Sequence, residues 1–232
     1  MTLNNLKKDI LRKGSREKAK ISAWFFKTGK GEYGEDDVFI GLTMPEMREV
    51  AKEYRETSLT DLNKLIKSKE HEFRLVALII LVSKYEKGDK KIKKEVFDFF
   101  IKNIKYVNNW DLVDGFAPYI PGPYLLDKKR DILYKLAKSK SLWDRRIAIV
   151  STLHFIRNND FKDTVKISEI LLGDKEDLIH KASGWMLREM GKKDVKVLEK
   201  FLDKHCKSMP RTMLRYSIEK FDDKKRKHYL NA

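Results

Sequence analysis

Three stretches of this chain repeat one another. Glu72-Phe73-Arg74-Leu75-Val76-Ala77, Asp144-Arg145-Arg146-Ile147-Ala148 and Leu178-Ile179-His180-Lys181-Ala182 share a charged and apolar run that closes on alanine. The alanines Ala77, Ala148 and Ala182 lie 71 and 34 residues apart. Those intervals are close to two periods and one period of about 35, the spacing of stacked helical pairs. The intervening copy falls near residue 112. A unit of this size buries its apolar face only against its neighbours, so the recurrence predicts an all-α fold, an α-solenoid of antiparallel helix pairs. The competing reading is that helical hairpins of similar length produce the spacing by chance.

The local pattern agrees. Nearly every segment carries apolar residues at helical spacing between recognisable caps. Only 5 prolines and 11 glycines interrupt 232 residues. Helices are expected over about 5–27 with a break near Gly14-Ser15, and from the capping box Thr43-Met44-Pro45-Glu46 to about Arg55. Others are expected over 60–67, 72–87, 91–107, 128–138, 142–157, 163–172, 175–190, 195–207 and 210–221. Gly29 to Asp37 reads as a charged, glycine-rich loop. Pro118, Pro121 and Pro123 predict a non-helical stretch, and Lys224-Lys225-Arg226-Lys227 reads as a solvated basic end. No strand is expected, and residues 1–232 read as one domain.

Apolar residues make up 41% of the chain, enough for a core. No apolar run approaches the roughly 18 residues of a membrane span, and residues 1–8 lack the apolar centre of a signal peptide. A lone Cys206 leaves no disulfide framework. These features predict a cytoplasmic protein with no membrane partner, and a monomer is expected. The 51 Lys and Arg against 35 Asp and Glu give a net charge of +16. An excess of that size favours polyanionic partners such as nucleic acid.

Near the midpoint stands Asn109-Trp110-Asp111-Leu112-Val113-Asp114-Gly115-Phe116. On a helix, Trp110 and Asp114 are about 40° apart, while Leu112, Val113 and Phe116 point the other way. A tryptophan and a carboxylate therefore share the polar side, a place where a cation could be held. Asp111 reads as a cap or salt-bridge partner. Arg146 stands inside the apolar stripe of Leu142, Trp143, Ile149, Val150 and Leu153, so its guanidinium needs a carboxylate or phosphate. An ion pair to Asp111 or Asp114 and a phosphate contact both satisfy that need. Trp185 edges the stripe of Leu178, Ile179, Ala182 and Met186, with Lys181 and Arg188 on its outer side. Core packing and the wall of a nucleic-acid groove both suit it. In the repeat register, Trp110, Asp114, Arg146, Lys181 and Trp185 are expected to approach one another on a concave, basic face. The five histidines lack metal-ligand spacing, and no phosphate loop or dinucleotide fingerprint is present. No metal and no cofactor are expected.

Three segments carry a resemblance: 109–114, 142–149 and, most specifically, Lys181-Ala182-Ser183-Gly184-Trp185-Met186-Leu187-Arg188-Glu189. They resemble the DNA alkylation repair enzymes of the AlkD type, HEAT-like repeat alkylpurine-DNA glycosylases, in order and spacing. The resemblance implies that Asp114 is the catalytic aspartate and that Trp110 and Trp185 flank the lesion. Arg146 would contact the DNA backbone nearby, and Arg145, Lys181 and Arg188 are expected to add DNA contacts. It further implies hydrolysis of the N-glycosidic bond of 3-methyladenine and 7-methylguanine in double-stranded DNA. The first forty residues match loosely. Two other readings are a catalytically silent solenoid that binds DNA or structured RNA by shape, and a protein-binding scaffold.

Overall fold

The computed structural model describes residues 2–231. Among them are fifteen α-helices, one short 3-10 turn and no strand, only an isolated bridge between Val38 and Glu70. The fold is all-α, as the periodicity predicts. Two compact units divide the chain, residues 1–112 and 113–232. No helix of the described residues is long and apolar enough to cross a membrane.

The first unit holds α1 (Leu3–Lys13), α2 (Arg16–Phe25), α3 (Met44–Glu53), α4 (Leu59–Leu65), α5 (His71–Lys87) and α6 (Lys90–Lys102). The 3-10 turn Ile104–Tyr106 and the start of α7 (Trp110–Phe116) complete it. Side chains of Thr2, Ser15, Ser58 and Asp89 cap α1, α2, α4 and α6, each accepting a backbone N–H of the first turn. The expected capping box of Thr43 and Glu46 opens α3. At the centre lies α5, buried along most of its length from His71 to Leu81 and at Tyr85, with α1, α3, α4 and α6 around it. A helix apolar on nearly all sides has to be covered this way.

The second unit repeats the plan around α10 (Leu142–Arg157), which packs against α8 (Pro121–Leu125), α9 (Asp131–Ala137), α11 (Lys162–Ile170) and α12 (Asp177–Lys193). Further on, α12 meets α13 (Val195–His205) and α14 (Arg211–Ser217), and α15 (Asp223–Leu230) ends the chain. In each unit most helix contacts join elements one or two apart in sequence, the local pattern of an α-solenoid.

Side-chain geometry supports the repeat. Arg74 donates to the carbonyls of Ser68 and Lys69 and to Asp37. Arg145, 71 positions later, donates to the carbonyls of Ser139 and Lys140 and to Asp174. The same arginine brace thus holds the entry to α5 and to α10.

One local expectation is corrected. Pro121 and Pro123 do not exclude a helix, because both lie in the first turn of α8, where their missing N–H groups have no intrahelical acceptor to lose. The basic end Lys224-Lys225-Arg226-Lys227 is exposed, as expected, and lies on α15, which Asp222 caps at the Lys225 N–H. Helix α2 buries none of its residues, and Trp24 is 79% exposed.

Close helix contact explains one residue of the most specific segment. A Cβ at Gly184 would lie 2.5 Å from Tyr216 Cβ and 2.6 Å from the Met213 carbonyl oxygen, both on α14. At Gly115, near the end of α7, a Cβ would meet nothing within 4 Å. Gly184→Ala is expected to cost about 1–3 kcal/mol by overpacking. Gly115→Ala is expected to gain up to about 1 kcal/mol from helix propensity. Thermal unfolding of the two variants beside wild type checks this opposition of sign.

Candidate functional site

The functional residues expected from the sequence fall into two clusters, one in each unit. Helix α7 spans the junction, carrying Trp110 and Asp111 at its start and Asp114 one turn on.

In the second unit, α10 is buried almost throughout, and Arg146 in its first turns is only 5% exposed. Its guanidinium meets Asp114 with two parallel hydrogen bonds, Nε to Oδ1 at 2.9 Å and Nη2 to Oδ2 at 2.7 Å. Nη1 donates to the Leu178 carbonyl at the start of α12. This planar fork is the strongest way a protein holds a carboxylate. It also satisfies a guanidinium sunk among apolar side chains. In the repeat register, the residue 71 positions before Arg146 is Leu75, fully in the core of its own unit. Arg146 is therefore an arginine placed where the repeat has an apolar residue, and what it acquires is Asp114. About a fifth of the Asp114 side chain remains open to solvent.

The three other basic residues expected at the site, Arg145, Lys181 and Arg188, are engaged. Arg145 grips Asp174 through Nε at 2.6 Å. Lys181 pairs with Asp177 at 2.7 Å. Hydrogen bonds from Lys181, with Thr212 assisting, hold the Asp177 carboxyl below the usual range. Arg188 bonds Glu219 and lies 3.4 Å from Glu189. Trp185 is half-buried on α12. The structure thus joins Asp114 to Arg146 and gives Arg145, Lys181 and Arg188 acidic partners of their own.

In the first unit, Trp110 is half-buried against an aromatic group. Its ring stacks on Phe26 at 5.1 Å and meets Phe25 edge-on at 5.8 Å. Phe26 stacks in turn on Phe39 at 5.1 Å, and Phe39 on the His71 imidazole at 4.6 Å. Below these rings lies a buried polar knot. His71 Nδ1 is 2.9 Å from Asp37 Oδ2, and Nε2 is 2.8 Å from Asp111 Oδ2. Asp37 also accepts from Arg74 and from the Asn109 amide. The Asn109 carbonyl oxygen then accepts the Trp110 backbone N–H at 2.8 Å. Burial opposes charge on His71, but Asp111 and Asp37 outweigh it and push the imidazole up to about 9. Burial likewise opposes the Asp37 charge, yet His71, Arg74 and Asn109 together hold its carboxyl below the usual range.

The loop that supplies Asp37 is pinned in place. Val38 exchanges backbone hydrogen bonds with Lys69 and His71. The Glu72 carboxylate accepts the N–H groups of Ile40, Gly41 and Leu42. Gly41 has φ +91°, and a Cβ there would lie 2.1 Å from the Ser15 carbonyl oxygen, so only glycine lets the loop pass.

Sequence reasoning read Asp111 as a salt-bridge partner, and it is one, but it missed His71 and Asp37. A usable signal was present. His71, Glu72 and Arg74 put three polar groups into the first turn of a helix that is otherwise apolar, and such groups need partners.

Comparison with known proteins places the chain in a family. The family model for DNA alkylation repair enzymes matches residues 6–221. The chain belongs to that family. The resemblance carried by residues 109–114, 142–149 and 181–189 is thereby borne out. No match emerges among curated proteins. A solved structure described as a predicted DNA alkylation repair enzyme from Enterococcus faecalis shares the fold, with TM-score 0.69 and 17% identity. That likeness covers 91% of this chain and 98% of the other. As a member of a DNA-repair enzyme family, this chain has DNA as its expected class of partner.

Stability should follow the charge on His71. A group whose folded value is raised from 6.5 to about 9 stabilises fully below pH 6.5 and loses that contribution as pH rises through 9. The loss is on the order of 3 kcal/mol at most, at 1.36 kcal/mol per unit. Denaturant unfolding between pH 6.5 and 10 should show falling stability in wild type. In His71→Gln, stability should be lower and nearly flat over that window.

Proposed function

We propose that this DNA alkylation repair enzyme is a monofunctional DNA glycosylase that removes positively charged N3- and N7-alkylated purines, 3-methyladenine and 7-methylguanine, from duplex DNA. The observation that carries the reading is the Asp114 carboxylate, held by two hydrogen bonds from Arg146 and still partly open to solvent. Its place four residues after Trp110 on one helix supports the same reading.

The chemistry suits a site with one fixed carboxylate and no strong acid. Alkylation at N3 or N7 leaves the purine cationic, so it departs without being protonated. When the C1′–N bond breaks, its electron pair returns to the base, which leaves neutral, and the sugar becomes an oxocarbenium-like cation. Asp114 stabilises that cation electrostatically. Water then adds at C1′ and gives up one proton, which Asp114 accepts or passes to solvent. Arg146 holds the carboxylate so that it need not reorganise as charge develops. Arg146 is proposed to meet a backbone phosphate as well, through the N–H groups that Asp114 and Leu178 leave over. Trp110 and Trp185 contact the cationic base or the sugar edge, for about 0.5–2 kcal/mol each. Arg145, Lys181 and Arg188 are the further backbone contacts in this reading, each giving up its acidic partner for a phosphate. No lysine serves as a nucleophile, so strands are not cleaved, and the protein acts as a monomer.

Release of free 7-methylguanine from methylated duplex DNA tests the proposal. Wild type should release it, and Asp114→Asn should do so about 100-fold more slowly while still binding the duplex. Equal release by both would remove Asp114 from the mechanism. Tight duplex binding with no release by wild type would leave a DNA-binding helical protein in place of an enzyme of this class.

A further inference from the structure

We infer that His71, with Asp37 behind it, is a positioning residue for helix α7, fixing Trp110 and Asp111 from a buried knot that never meets the ligand. The inference concerns the first unit, and its functional meaning rests on the role given to Trp110 above.

The geometry ties both neighbours of Trp110 to one buried carboxylate. Asp37, reaching in from the pinned loop, accepts from Asn109 through Oδ2 at 2.9 Å, and Asn109 accepts the Trp110 backbone N–H. The same Oδ2 meets His71, whose other nitrogen meets Asp111. Residues 109 and 111 are thus held from the same point, with Trp110 between them. The ring is held as well, since the stack Trp110–Phe26–Phe39–His71 ends on that imidazole. Backbone and side chain of Trp110 therefore converge on His71 by separate routes.

The knot is built for rigidity. Asp37, His71, Arg74 and Asn109 are each at least nine-tenths buried. The charged groups that meet the imidazole are Asp37 from the loop, Arg74 from its own helix and Asp111 from α7. Phe26, at the end of α2, and Phe39 offer it only ring faces. Two carboxylates against an imidazolium and a guanidinium sum to zero charge. A neutral imidazole donates through one nitrogen only, so on deprotonation one carboxylate faces a lone pair and must move. Moving Asp111 disturbs the first turn of α7, because its Oδ1 accepts the Leu112 N–H. Pressing on Asp37 disturbs Asn109. Both routes displace Trp110.

The decisive experiment reads Trp110 in the free protein. The indole N–H resonance, assigned with Trp110→Phe, and the His71 ring resonances are followed from pH 6 to 10.5. Trp110 should shift with the same midpoint as His71, close to 9, and the shift should vanish in His71→Gln. Asp111→Asn, which keeps the Asp37 contact, should move both midpoints down together. A Trp110 resonance that stays still while His71 titrates would overturn the inference, as would two separate midpoints in Asp111→Asn. If His71→Gln does not fold, the Asp111→Asn comparison carries the test alone. 7-Methylguanine release by wild type should fall above pH 9 with that midpoint. Absence of release at every pH would count against the glycosylase reading and leave the linked titration standing or falling by itself.

Discussion

Charges sunk into the first turns of two otherwise apolar helices govern this structure. Helices α5 and α10 are buried on nearly every side, which makes them poor places for ionised groups. Each nonetheless carries polar residues there, and each charge has a partner supplied by a distant segment. Asp37 answers His71 and Arg74, while Asp114 answers Arg146 and Asp174 answers Arg145. A buried ion pair adds little net stability over apolar packing, whereas removing one partner is costly. The consequence is geometric: the loop at 29–42 and the helix α7 can each occupy only the position that satisfies these groups.

The repeat shows which of these contacts is structural and which is specialised. Arg74 and Arg145 bind their own preceding loops in the same way, 71 residues apart. That recurrence marks a fold brace. Arg146 lies one residue beyond the brace, at a position filled by Leu75 in the earlier copy. This departure from the repeat is what holds the Asp114 carboxylate in a two-bond grip.

Helix placement was largely legible in the sequence because caps and helical spacing are local properties. Leu142–Arg157 and the Thr43–Glu46 box are found where the pattern puts them. Of the two partners weighed for Arg146, the Asp114 pair is present, and the need for it was readable from an arginine inside an apolar stripe. What was not legible depended on distant contacts. Asp37 reaches His71 across 34 residues and Asn109 across 72, and nothing in a charged, glycine-rich loop announces that one of its acids is buried.

The central claim is that one fixed carboxylate acts on a base that already carries positive charge. Its most direct test compares release of 7-methylguanine with release of O6-methylguanine, an alkylated but neutral purine, from otherwise identical duplexes. Release of the cationic base and none measurable of the neutral one is expected, because nothing proposed at the site protonates a leaving group. Comparable release of both bases would contradict it and would require a general acid in place of a fixed negative charge.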